Sequence, residues 1–142
     1  MAAAVEALRS GERFLVTSHE NPDGDALGSL LAMHLALCEL EKDSVMMLAG
    51  AQLLPAEYAF LDVNGRGLLH ELPSDAVDRV LVAVDCAQET RFTDDRLLEA
   101  ATVVNIDHHH DNSRFGTVNL VVADASSTAE VLADVFSLLE AP

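Results

Sequence analysis

Residues Val16 to Ser29 read VTSHENPDGDALGS, and the fold follows from how this stretch changes character. Just before its polar centre, Arg13-Phe14-Leu15-Val16-Thr17-Ser18 is a short apolar run ended by a turn, the pattern of a buried β-strand. Beyond it, Leu27, Leu30, Leu31, His34, Leu37 and Cys38 recur at helical spacing from Ala26 to Leu40, with Asp25 where an N-cap would stand. Between strand and helix, Pro22-Asp23-Gly24 turns the chain and sets His19, Asp23 and Asp25 around the turn.

The rest of the chain repeats that alternation. Residues 2–9 suit a short helix, Ser44 to Leu48 a second strand, Ala49-Gly50-Ala51 a turn, and Pro55 to Leu61 a short helix with proline at its first position. Residues 62–67, DVNGRG, are a turn-rich break. Arg79 to Asp85, RVLVAVD, is nearly continuously apolar, as parallel central strands are, and ends on a carboxylate. Thr93-Asp94-Asp95 opens a helix through Ala100, with acids where the helix dipole favours them. Thr102-Val103-Val104-Asn105-Ile106 is a further strand that runs into Asp107-His108-His109-His110. Ser127-Thr128-Ala129-Glu130 matches a capping box ahead of a helix whose Leu132, Val135, Phe136 and Leu139 share one face. Strands alternating with helices imply right-handed βαβ units and a three-layer α/β/α, Rossmann-like fold with a mostly parallel sheet covered on both faces.

Composition narrows the function. With 142 residues, half of them hydrophobic, the chain suits one domain with a substantial core. A net charge of −16 argues against a broad basic surface that tracks a phosphate backbone. An anionic substrate would need local neutralisation, which Asp and His side chains holding divalent cations would supply. Most of the acids are read as solvated surface. Cys38 and Cys86 form no CxxC or longer zinc pattern and read as ordinary thiols. The opening MAAAVEALRS carries Glu6 and Arg9 without a leader pattern, and no apolar run approaches the ~18 residues of a membrane span, so a cytoplasmic protein with no membrane partner is expected.

Three strands end in acid–base or metal-binding residues, and in parallel sheets ligands bind outside the carboxyl ends of the strands. His19, Asp23, Asp25, Asp85, Asp107, His108 and His109 are therefore expected to converge. Carboxylates and neutral imidazoles suit Mn²⁺, and also Mg²⁺, Co²⁺ or Zn²⁺. Their number exceeds the needs of one ion and points to a pair roughly 3.5–4 Å apart that activates a water and clamps a phosphoryl group. Asp85, a lone acid at the end of a central strand, is the candidate bridge. An EF-hand is excluded because Ala26, Leu27 and Leu30 follow Asp25 where ligands would be required. Aspartyl-phosphate chemistry at Asp23 or Asp25 leaves the consecutive histidines unexplained. His34 reads as a packed helix residue, while His70 and His110 read as surface. Phosphate-loop, serine-hydrolase and dinucleotide-binding signatures are absent from the sequence.

The run His19-Glu20-Asn21-Pro22-Asp23-Gly24-Asp25-Ala26-Leu27-Gly28-Ser29, the strand ending in Asp85, and Asp107-His108-His109 resemble the first three motifs of the DHH phosphoesterase superfamily. Asn112, Phe115, Gly116, Asn119 and Ala125 to Glu130 further resemble its branch of bacterial bifunctional oligoribonucleases and PAP phosphatases. The resemblance implies a manganese-dependent hydrolase of very short RNA, 3′-phosphoadenosine 5′-phosphate or linear and cyclic dinucleotides, using two Mn²⁺ ions and an activated water. Carried over, it gives His19 and Asp23 to one metal, Asp25 and His108 to the other, and Asp85 to both. His109 would stabilise the phosphoryl group or support the second metal, and Asp107 would orient the histidines. The family's fourth acidic motif and its DHHA1 substrate domain are not found by Pro142, so residues 1–142 are expected to be an incomplete N-terminal DHH catalytic domain. A homodimer is compatible with the resemblance. An inorganic pyrophosphatase of the same superfamily, or a non-catalytic metal- or nucleotide-binding module, are the alternatives.

Overall fold

The computed structural model describes residues 1–48, 54–92 and 94–140. Helix α1 spans Ala2–Ser10, strand β1 Arg13–Thr17, helix α2 Gly24–Glu39 and strand β2 Asp43–Met47. Strands β3, β4 and β5 follow at Val80–Val84, Val103–Asp107 and Val118–Val121, and helix α3 closes the order at Thr128–Leu139. The five strands pair in the order β2-β1-β3-β4-β5, every pairing parallel. The α/β architecture is the one the alternation implies.

Residue alternation along the strands divides the core. Phe14, Val16, Val82, Val84, Val104 and Ile106 face the layer of α1, α2 and α3, where Leu8, Leu27, Leu30, Leu37, Leu132 and Val135 meet them. Leu15, Leu81, Ala83 and Val103 face the opposite side, against Met47, Ala76, Phe92 and Leu97. Burial on both faces is why β1, β3 and β4 read as unbroken apolar runs.

That second layer differs from the expected helices. Ala56–Leu61, which packs beside α2 on the first face, and Ala76–Asp78, Glu89–Arg91 and Asp95–Glu99 on the second are 3₁₀ turns. Pro55 stands at the N-cap of the first, outside the helix where it was expected to begin it. Asp94 caps the last by accepting from Arg96 N, so the acids there serve one short turn and no α-helix grows from them. The expected turn at Ala49-Gly50-Ala51 and the residue Thr93 lie outside the described residues.

Strand β5 is an addition to the sequence reading. It has four residues, sits at the sheet edge, and contains Asn119, whose side chain bonds to Gly116 backbone atoms on both sides of its amide. A Cβ at Gly116 would stand 2.7 Å from the Val118 carbonyl oxygen and 2.9 Å from that of Val103, so glycine is required for the chain to enter β5. Among the described residues no helix is long and apolar enough to cross a membrane.

Sheet order sets the position of the site. The chain leaves β1 for β2 on one side and returns to β3 on the other, so the topological switch lies between β1 and β3. Thr17 pairs with Ala83, and Val84 with Ile106. Continuing the same register puts His19 and Asp85, just beyond β1 and β3, level with Asp107, the last residue of β4.

Candidate metal centre

The loop after β1 is held before it carries any chemistry. Ser18 Oγ donates to the Val84 carbonyl at 2.7 Å, stapling the end of β1 to β3. Asp23 is the N-cap of α2, its Oδ1 accepting from Ala26 N at 3.0 Å. This corrects the expectation for Asp25: the helix begins two residues earlier than its apolar pattern, because Gly24 and Asp25 join the first turn. Asp25 is turned elsewhere. Its Oδ2 accepts from Thr128 N at 2.7 Å and its Oδ1 from Ala129 N at 3.1 Å, so it binds the first turn of α3.

Asp85 is the centre of the arrangement. It is 2% exposed and stands immediately after β3 in the left-handed region at φ 55°, a conformation Asp tolerates better than most residues. Its Oδ1 accepts from Thr128 Oγ1 at 2.9 Å and lies 3.7 Å from both His108 Nε2 and His109 Nδ1. Its Oδ2 lies 3.6 Å from His19 Nε2. His19, Asp23 and Asp85 can each bring one donor atom within 4.8 Å of the others, and Asp85, His108 and His109 form a second such group.

Backbone carbonyls fix which ring nitrogen is available. His19 Nδ1 lies 2.6 Å from Glu20 O, and His108 Nδ1 lies 3.2 Å from Ala125 O. A carbonyl only accepts, so Nδ1 carries the hydrogen in both rings and Nε2 keeps its lone pair for the cluster. His109 is different: its Nδ1 lies 2.8 Å from Asp107 Oδ1 and gives its hydrogen there. Proximity alone would admit His109 Nδ1 as a ligand, but that nitrogen is taken, and only Nε2 is left to act.

Asp107, wholly buried, has both oxygens occupied. Oδ1 also accepts from His108 N at 2.8 Å, and Oδ2 accepts from Asn112 Nδ2 at 2.6 Å. Asn112 Nδ2 also reaches Asn105 Oδ1 at 2.8 Å, and buried Asn105 donates to Cys86 O at 3.0 Å. His109 is thereby tied through Asp107 and Asn112 to the interior of β4.

The electrostatics agree with a site built for cations. Burial pushes the Asp85 carboxyl up, His19 and Thr128 opposing it. Asp85 in turn raises His19, against burial and the Arg91 charge. For His109 burial is the largest single influence and lowers the ring, but Asp107, Asp85 and Asp111 together raise it on balance. The 3.6–3.7 Å separations are too long for hydrogen bonds and shorter than twice a metal–ligand distance of ~2.1 Å. Carboxylates and free imidazole nitrogens with that spacing fit divalent cations.

The other predicted residues lie apart. His34 is half-buried on α2, with Nδ1 2.9 Å from Ser44 Oγ, and burial lowers it; His70 and His110 are exposed. Cys38 is exposed, Cys86 is buried with its thiol pushed up to about 12, and both are free. Ser127 caps α3 as the capping box requires, but Glu130 reaches Ser126 N in place of Ser127 N. Sequence reasoning gave Thr128, Arg91 and Asn105 no role at the site. Asn105 had a visible signal, a lone amide inside an apolar strand, and Thr128 lay in the Ala125 to Glu130 run; Arg91 had none.

A parallel sheet with an acid–histidine cluster at its topological switch defines an α/β protein with a candidate cation site at the carboxyl ends of its strands. The family described as "DHH family, N-terminal domain" matches residues 13–141, and the chain belongs to it. The bifunctional oligoribonuclease and PAP phosphatase NrnA of Thermus thermophilus is 32% identical over 143 residues, covering 98% of this chain and 41% of that protein. The cyclic-di-AMP phosphodiesterase GdpP of Geobacillus thermodenitrificans is 28% identical over 142 residues, covering 91% of this chain and 22% of that one. The crystal structure of an exopolyphosphatase-related protein from Bacteroides fragilis superposes with a TM-score of 0.82 at 20% identity, over 98% of this chain and 44% of that chain, which shows the shared fold. The family is one of phosphoester hydrolases, and this chain spans about two fifths of the length of the NrnA relative.

Proposed function

We propose that this chain supplies the two-metal centre of a phosphoester hydrolase acting on short oligoribonucleotides, 3′-phosphoadenosine 5′-phosphate, or linear and cyclic dinucleotides. The observation that carries the reading is the division of Asp85, whose Oδ2 faces His19 while its Oδ1 faces His108 and His109. One carboxylate thus serves two donor groups. Two Mn²⁺ ions are the proposed occupants, Mg²⁺ or Co²⁺ suiting the same mixed oxygen and nitrogen set. His19 and Asp23 would hold one, Asp25 and His108 the other, and Asp85 would contribute to both.

Bound divalent cations supply Lewis acidity and lower the pKa of water. The residues of the chain do the remaining work. The carbonyls of Glu20 and Ala125 hold the tautomers of His19 and His108, and Asp107 holds that of His109, leaving His109 Nε2 to meet the phosphoryl group. The choice of substrates follows the names of the relatives, which are longer than this chain. Residues 1–142 act in this reading as the N-terminal metal-bearing domain of a cytoplasmic enzyme. A DHHA1 domain elsewhere in the whole protein completes substrate binding. The whole protein with Mn²⁺ is expected to release nucleoside monophosphates from a dinucleotide, and Asp85→Ala to abolish that release. Undiminished activity in the variant sinks the assignment, and pyrophosphate hydrolysed far faster than any nucleotide redirects it to a pyrophosphatase.

A further inference from the structure

The carboxyl edge of the sheet gathers negative charge, and one cation is set against it. Asp23, Asp25, Asp85 and Asp107 bring four carboxylates to the cluster. Two divalent ions would cancel them, since a histidine that ligates is neutral. A phosphate ester entering the site then adds negative charge that the metal ligands leave uncompensated, in a chain whose net charge is already −16. Arg9, Arg13, Lys42, Arg79 and Arg96 are engaged elsewhere with carbonyl or carboxylate oxygens, and Arg66 and Arg114 are exposed.

Arg91 is placed differently. It is half-buried at the end of the 3₁₀ turn Glu89–Arg91, and its backbone carbonyl accepts from Glu20 N at 3.0 Å, which ties it to the loop of His19 and Asp23. Its Nη2 lies 3.2 Å from His19 Nδ1. That nitrogen already donates to Glu20 O at 2.6 Å, so two donors face each other and the guanidinium gains no acceptor from the contact. Among the described residues no carboxylate stands within ion-pair distance of it. Because His19 shows Nε2 to Asp85 and Nδ1 to Arg91, the guanidinium stands one imidazole ring to the side of the cluster.

We propose that Arg91 binds an oxyanion of the phosphate-ester substrate at the flank of the metal pair. The inference rests on the phosphoester reading above. Arginine suits the task because its planar fork can take two oxygens of one phosphate, whereas a lysine offers a point charge. Arg91 is on this account a substrate-binding residue whose missing acceptor arrives with the ligand.

The test titrates inorganic phosphate into the full chain loaded with Mn²⁺, by calorimetry, for the wild type, Arg91→Met and Arg91→Lys, with a Mn²⁺ titration of each protein alongside. Arg91→Met is expected to weaken phosphate binding about tenfold to a hundredfold, the scale of lost charge-assisted hydrogen bonds. Arg91→Lys should recover part of the loss, and Mn²⁺ affinity should not change. Phosphate affinity unaltered in Arg91→Met overturns the proposal. So does a parallel fall in Mn²⁺ affinity, which would make Arg91 a positioning residue for His19. Wild-type protein that takes up Mn²⁺ but no phosphate overturns the phosphoester reading itself, and the role of Arg91 with it.

Discussion

At the amino end of the sheet, Arg13 and Arg79 meet Asp43 and Asp75; at the carboxyl end, Asp25 and Asp85 meet His19, His108 and His109. Both ends collect charge on adjacent parallel strands, but they resolve it differently. Arg79 is buried, pairs with Asp43 and Asp75 at 3.0 Å each, and donates to the Phe14 and Asp43 carbonyls at 3.3 Å, while Arg13 bonds the same two acids. Asp43 and Asp75 are each paired with arginine. At the carboxyl end the carboxylates are held by neutral donors, the Thr128 hydroxyl and the Thr128 and Ala129 amides, while the imidazoles stand off at 3.6–3.7 Å. Paired charge of the first kind stabilises a fold; carboxylates left without a cation of their own are what a metal site looks like from within.

The comparison breaks most visibly at Asp85. Asp85→Asn keeps a side chain that accepts the left-handed backbone, so the fold should survive while Mn²⁺-dependent hydrolysis falls by about a thousandfold or more, measured on a dinucleotide. Thr128→Val removes one hydroxyl and leaves the Asp85 oxygen without its donor. Mn²⁺ affinity is expected to drop about tenfold to a hundredfold by calorimetry, with Thr128→Ser close to wild type. Arg79→Met should do the reverse at the other end, lowering stability to urea by about 1–2 kcal/mol and leaving Mn²⁺ affinity as it was.

The smallest effect is a pH dependence. Arg79 and Arg13 hold the Asp43 carboxyl below its ordinary value of 3.8, and Arg79 does the same for Asp75. A carboxyl lowered in the folded state contributes stability that is present above the unfolded value and is lost as pH falls through the folded one. Wild-type urea midpoints should therefore decline below about pH 4, and Arg79→Met should show a shallower decline over the same window.

Much of this was legible in the sequence because parallel strands buried on both faces advertise themselves. The runs around Leu15, Val82 and Val104 needed no partner information, and the polar residue after each marked where the site would lie. Two of the 3₁₀ turns were read as helices, from Pro55 at a first helical position and from the acids at Asp94 and Asp95, though each turn is too short to propagate. Other contacts were hidden by distance along the chain. Thr128 reaches Asp85 across 43 positions and Arg91 reaches His19 across 72, and no local pattern encodes either meeting. Asp25 was placed at the N-cap of its own helix, when it serves the N-terminus of another one 103 positions away.

That last contact gives the site an order of assembly. Asp25 and Asp85 precede in the chain, by 103 and 43 positions, the amide and hydroxyl of Thr128 that hold them. The histidines and acids of the cluster precede α3 in the chain, yet Asp25 and Asp85 gain their donors from it only when that helix docks. Docking of α3 and the holding of Asp25 and Asp85 are thereby one event, because the donors to both carboxylates lie in its first turn.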